Sequence, residues 1–172
     1  VPNWELIDDL VRQFRAYPKH DRWLNNRLLE YRRFREIFDR SKLGELTDDK
    51  FADFLKADEE KAWWTGLERA KGTLLSNMEG VRRAIEHLQD KDVPGEERLV
   101  SVLRGGPLHV EGFGRNLGSA ILHVCDNSDS YGVWNDRSEK TLKRLNLIPG
   151  SLPAHRKEAY RTVNTALNSL KR

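Results

Sequence analysis

Apolar residues recur every three or four positions along almost the whole chain, and no stretch alternates apolar with polar for more than about four residues. That period restricts the chain to helices that bury one stripe each. Trp4, Ile7, Leu10, Val11 and Phe14 form the first stripe, with Asn3 placed to cap it and Tyr17-Pro18 to end it. Leu24, Leu28, Tyr31, Phe34 and Phe38 form the second. Thr47-Asp48-Asp49 reads as a helix start ahead of Phe51, Phe54 and Leu55. A helix is expected over 59–70, a break at Gly72, and then a stripe of Leu74, Met78, Val81, Ile85 and Leu88. Further helices are expected over 96–103, 117–124, 138–147 and 154–170. The pattern predicts an all-α, compact multi-helix domain spanning 1–172, its helical body formed by 1–95 and 148–172 around a distinct segment at 96–147.

The 172 residues are enough to bury a core without staples. With 38% hydrophobic residues, 33% charged residues and a mean hydropathy of −0.73, no segment reaches the roughly 18 apolar residues of a membrane span. No secretory signal is visible at the start, and Cys125 is the single cysteine, so a cytoplasmic setting is expected and a cysteine zinc site is not. His20, His87, His109, His123 and His155 lack ligand spacing, and no metal or organic cofactor is expected. The net charge of +3 permits nucleic-acid binding without demanding it. Arg27, Arg32, Arg33, Arg35 and Arg40 make a basic stripe that suits either phosphate tracking or plain solvation.

The most informative stretch is Val110-Glu111-Gly112-Phe113-Gly114-Arg115-Asn116-Leu117-Gly118-Ser119-Ala120-Ile121-Leu122. Two glycines one residue apart allow a tight turn, and a helix follows whose first amides favour a phosphate. An ordinary glycine turn between packed helices would look the same. The stretch resembles the helix-hairpin-helix of the DNA glycosylase superfamily that contains endonuclease III and the adenine glycosylases. Glu111 stands where that family carries proline. The resemblance implies that Gly112, Phe113, Gly114, Arg115 and Asn116 grip the backbone of double-stranded DNA.

In that family a catalytic aspartate follows the hairpin at the start of the next helix. The spacing puts Asn135 there, with Asp136 one residue later. A carboxylate can stabilise a developing sugar cation or activate water. Asparagine can only position water and donate a hydrogen bond, so either residue remains a candidate, and a helix cap is the plain alternative. Bifunctional members carry a lysine where Asn116 stands, so the resemblance implies a monofunctional enzyme without lyase activity.

Lys61-Ala62-Trp63-Trp64-Thr65-Gly66-Leu67-Glu68-Arg69, Met78-Glu79 and Tyr131-Gly132-Val133-Trp134-Asn135 are similar to a family from bacterial phage-defence loci. It includes glycosylases that remove glucosylated hydroxymethylcytosine and modules of restriction ATPases. The implied function is excision of a modified base, with glucosylated hydroxymethylcytosine of phage DNA the candidate, and a non-catalytic reader of modified DNA in a restriction or defence system is the alternative. Trp63, Trp64, Tyr131 and Trp134 are then candidates for the walls of a pocket around an extruded base, with core packing the ordinary alternative for each. A helical protein-interaction domain is the third reading. No membrane and no obligate protein partner are implied.

Overall fold

The computed structural model describes residues 2–56 and 66–171. Among these, every regular element is helical: α1 Trp4–Arg15, α2 His20–Ile37, α3 Asp48–Leu55, α4 Lys71–Leu75, α5 Met78–Leu88, α6 Gly95–Val102, α7 Arg115–Cys125, α8 Asp136–Arg144 and α9 Arg156–Ser169, with 3-10 turns at Arg40–Glu45 and Leu67–Ala70. The expected helix over 59–70 falls largely outside the described residues, and its described end is the 3-10 turn. None of the described helices is long and apolar enough to cross a membrane.

α7 is the central element. Its small and apolar residues, Leu117 through Leu122 and Val124, are all buried. α6 packs closely against it because Leu99 fills the space a side chain at Gly118 would need. α2 and α5 lie on other sides of α7, α9 covers α6, and α8 rests on α9. A second focus of the core is aromatic. Phe54 of α3 meets Phe34 of α2 and Phe38, which follows the end of α2, edge-on, each at 4.9 Å between ring centres. Each of these rings is at most 1% exposed, and burial of each stabilises the fold by about 1.5–3 kcal/mol.

Helix starts follow local chemistry. Asn3 and Thr47 cap α1 and α3 by accepting from the amides of Leu6 and Lys50. The break expected at Gly72 lies elsewhere: Gly72 is inside α4, and the chain turns at Ser76-Asn77, where the Asn77 side chain accepts from Gly80 N to start α5. α8 begins at Asp136, ahead of the expected 138, because Asn135 and Ser138 form a reciprocal capping box. The basic stripe of α2 is largely drawn into internal contacts. Arg33 pairs with Asp53 and Glu30, Arg35 donates to the carbonyl oxygens of Val124 and Asp126, and Arg40 pairs with Glu86.

Candidate nucleic-acid interface and pocket

The loop between α6 and α7 runs from Leu103 to Gly114. Val110 and Phe113 anchor it, at 3% and 2% exposure. Phe113 N donates to Val110 O at 2.9 Å and Gly114 N to Gly112 O at 3.1 Å, closing a tight turn. Gly112 sits at φ +84, in the left-handed region, and its Cα faces Ala70 and Leu74 so closely that a Cβ would lie 3.1 Å from Ala70 Cβ. A side chain there is therefore disfavoured on two counts, backbone strain and crowding. α7 starts from Gly114, which has no side chain to cap it. The amides of Arg115, Asn116 and Leu117 thus lack the partner a capping residue would provide.

Arg115 joins this helix start to the next one. Its guanidinium pairs with Asp136 and Glu139 of α8, the latter at 2.9 Å, and lies 4.8 Å from the centre of the Trp134 ring. Glu139 also accepts from Lys143 Nζ at 2.7 Å and from Trp134 Nε1 at 3.2 Å. These contacts, the Lys143 hydrogen bond foremost, hold its carboxyl below the usual range against the opposing effect of partial burial. Asn135 spends its Oδ1 on Ser138 N at 2.8 Å. Its Nδ2 has no partner among the described residues and remains able to donate.

Two cavities flank Arg115. One, of about 340 Å³, is walled by Leu67, Ala70, Leu74 and Leu117, with Arg69, Arg115, Asn116 and Asp136 as its polar groups. Gly66, also on its wall, follows directly on the stretch 57–65. Trp63 and Trp64 belong to that stretch and lie outside the described residues. The other cavity, of about 580 Å³, has Phe113, Trp134 and Leu152 on its apolar side and Arg104, His109 and Arg156 on its polar side. The start of α9 opens onto it through Arg156 and Ala159, and no side chain caps that helix either.

The hairpin glycines, Arg115, Asn116 and Asp136 are thus brought together, with Asn135 adjacent in the chain. Of the expected aromatic walls, the two that are described, Tyr131 and Trp134, do not line the same space. Trp134 is 4% exposed and stacks on Tyr160 at 5.9 Å, so it supports Arg115 and the larger cavity as a buried wall. The Phe113 ring is packed in the core, so only the backbone of this residue belongs to the surface of the turn. Tyr131 lies by the other end of α7, where its hydroxyl accepts from Arg98 Nη2 at 3.0 Å and it lines a third cavity with Arg35 and Cys125. Sequence reasoning missed Arg69, Arg104, Arg156 and Glu139, since only the fold brings them to Arg115. Comparison with protein-family models, with curated proteins and with solved structures finds no match to this chain.

Proposed function

We propose that this chain binds double-stranded DNA through the turn at 112–116 and excises an extruded, modified base as a monofunctional DNA glycosylase. The observation that carries this reading is the uncapped start of α7, which lies between two cavities and is joined by Arg115 to Asp136 at the start of α8. Free helix-start amides suit a backbone phosphate. A cavity of about 340 Å³ lies within the range of small-ligand sites, and its apolar wall with a few polar groups suits a base taken out of the stack.

Asp136 and Asn135 divide the chemistry between them. Asp136 supplies the carboxylate that stabilises positive charge on the sugar as the glycosidic bond breaks, and Asn135 Nδ2 orients water or the base. A phosphate on the α7 amides competes with Asp136 for Arg115, which releases the carboxylate at the mouth of the smaller cavity. The modified cytosine of phage DNA, glucosylated hydroxymethylcytosine, is the proposed substrate on the sequence resemblance alone.

A specific observation favours a second reading, a reader of modified DNA without catalysis. The Asn135 oxygen is held by its capping bond, and the Asp136 carboxylate is already paired. Incubation with ordinary DNA and with DNA bearing glucosylated hydroxymethylcytosine separates the two. Abasic sites on the modified DNA, revealed by alkaline cleavage, with the freed base seen by mass spectrometry and lost in Asp136→Asn or Asn135→Ala, support the enzyme. Selective binding of modified DNA with no released base supports the reader. Absence of any salt-dependent DNA affinity refutes both.

A further inference from the structure

The first two helices carry an apolar face that no other described element covers. α1 is cleanly divided: Glu5, Asp8, Asp9, Arg12 and Arg15 occupy one side, and its apolar residues the other. Of the latter only Ile7 is buried, while Leu10 is 44% and Phe14 52% exposed. The first half of α2 continues this surface with Trp23, Leu24 and Leu28, each at least 40% exposed. Both helices are anchored at their far ends. Asn3 N donates to Leu145 O, and Tyr31 Oη bonds His123 of α7 at 2.6 Å. The turn between them is firm, with Tyr17 stacked on Trp23 at 5.0 Å and Phe14 edge-on to His20 at 4.9 Å.

Area decides what such a face is for. Eight large apolar side chains from Leu6 to Leu28 are 37% to 52% exposed, Leu29 lying around the side of α2. Together they present roughly 600 Å² of apolar surface, at the top of the ~300–600 Å² of the largest patch on an ordinary monomer and approaching the ~800 Å² each partner contributes to a standard interface.

We propose that this face docks a second copy of the chain about a two-fold axis, with the two α1 helices antiparallel and Leu10 at the axis. Leu6, Leu10 and Phe14 are four residues apart and form one ridge along α1. A two-fold axis through Leu10 sets Leu10 against its own counterpart and Leu6 against the Phe14 of the other copy, so the ridge is complementary to itself. The charged side of α1 faces away from this seam, so closing it buries none of the α1 charges. That side carries three acids and two arginines, unlike the cationic polar face of a helix that lies on an anionic lipid surface.

The test is the mass of the 172-residue chain by light scattering after size exclusion, at concentrations up to about 100 μM, above the μM ceiling of interfaces this size. The expected result is a mass near twice 20.0 kDa, returning to the single mass in Leu10→Glu with the helical circular dichroism and melting temperature kept. Leu10→Cys is expected to cross-link to itself with a short bismaleimide, and Asp8→Cys, on the charged side, is not. A monomer throughout the range overturns the proposal. So does a dimer that Leu10→Glu leaves intact, or a chain that stays monomeric and cosediments with anionic phosphatidylserine vesicles only while Leu10 is present.

Discussion

Gly114→Asp separates phosphate binding at α7 from simple helix packing. Gly114 has φ −92 and ψ 177, an extended cap conformation open to any residue, and a Cβ there would meet no atom within 4 Å. An aspartate fits without strain, and its carboxylate accepts from the amide of Asn116 or Leu117. The gain over glycine at a cap is a few tenths of a kcal/mol, and the negative charge at the helix start adds about 0.3–1 kcal/mol. The sum, about 1 kcal/mol, raises the melting temperature by roughly 2–4 °C for a chain of this length. The same carboxylate then occupies the position of the proposed DNA phosphate and repels it. Loss of one charge-assisted contact of about 1.5–3 kcal/mol weakens DNA binding roughly 10- to 150-fold. Anisotropy titration of a labelled duplex at fixed salt, with thermal melting of the same samples, reads both effects. Higher stability with unchanged affinity would refute the phosphate site. A lowered melting temperature would refute the capping geometry itself. Gly112→Ala is the contrasting variant: its positive φ alone costs about 1–2 kcal/mol, so it is expected to melt earlier whatever it does to binding.

Three other outcomes follow from the interior. Ser119 Oγ accepts from the buried Trp134 N at 2.8 Å, so Ser119→Ala strands that amide, costs about 1–3 kcal/mol and lowers the melting temperature measurably in a thermal scan. His123 donates from Nδ1 to Tyr131 O, which can only accept, and its Nε2 shares a 2.6 Å hydrogen bond with Tyr31 Oη. Burial foremost pushes its pKa below the ordinary 6.5, so its share of stability is full above pH 6.5 and is lost as the pH falls from there through the folded-state value. Chemical denaturation across that window is expected to show a shallower loss in His123→Gln. Burial drives the Cys125 thiol up to about 12, so a disulfide reagent at pH 8 is expected to label the native chain at least 100-fold more slowly than the chain in denaturant.

Helix class was legible because periodicity is a local property. The caps at Asn3 and Thr47 were legible for the same reason, since a cap and the amide it serves are three residues apart. Gly72 misled because an exposed glycine costs a helix only about 1 kcal/mol, and neighbouring turns override that. What covers a stripe is a different matter from its existence. The apolar faces of α1 and α2 have the same spacing as those of α5 and α9, yet Leu10, Leu24 and Leu28 face outward. At the candidate site, Arg115 was visible beside its turn, but its pairing with residues 21 and 24 positions later was not. Tyr131 and Trp134 are three residues apart and diverge to separate cavities, because Trp134 turns onto Tyr160 of α9 while Tyr131 turns to Arg98 of α6.

The starts of α7, α8 and α9 meet around Arg115 and the larger cavity, and they are not equivalent. α8 is closed by its capping box and bears Asp136 and Glu139 in its first turns, so its positive end is already compensated. α7 and α9 have neither a side-chain cap nor an aspartate in the first turn; Glu158 is the one acid there, on α9. The uncompensated start of α7, with Arg104 and Arg156 on the same cavity, leaves local positive potential on the side away from Asp136. Of the two carboxylates that Arg115 takes from α8, Asp136 is the exposed one, and an exposed pair is worth about 0–1 kcal/mol, so an arriving phosphate can exchange for Asp136 at small cost. Under the proposed function, anion capture at α7 and exposure of the Asp136 carboxylate are therefore one event, with Arg115 the group that couples them. Arg115→Met breaks that coupling and leaves Asp136 exposed from the start, so under the same reading it should weaken DNA binding more than it slows base release once DNA is saturating.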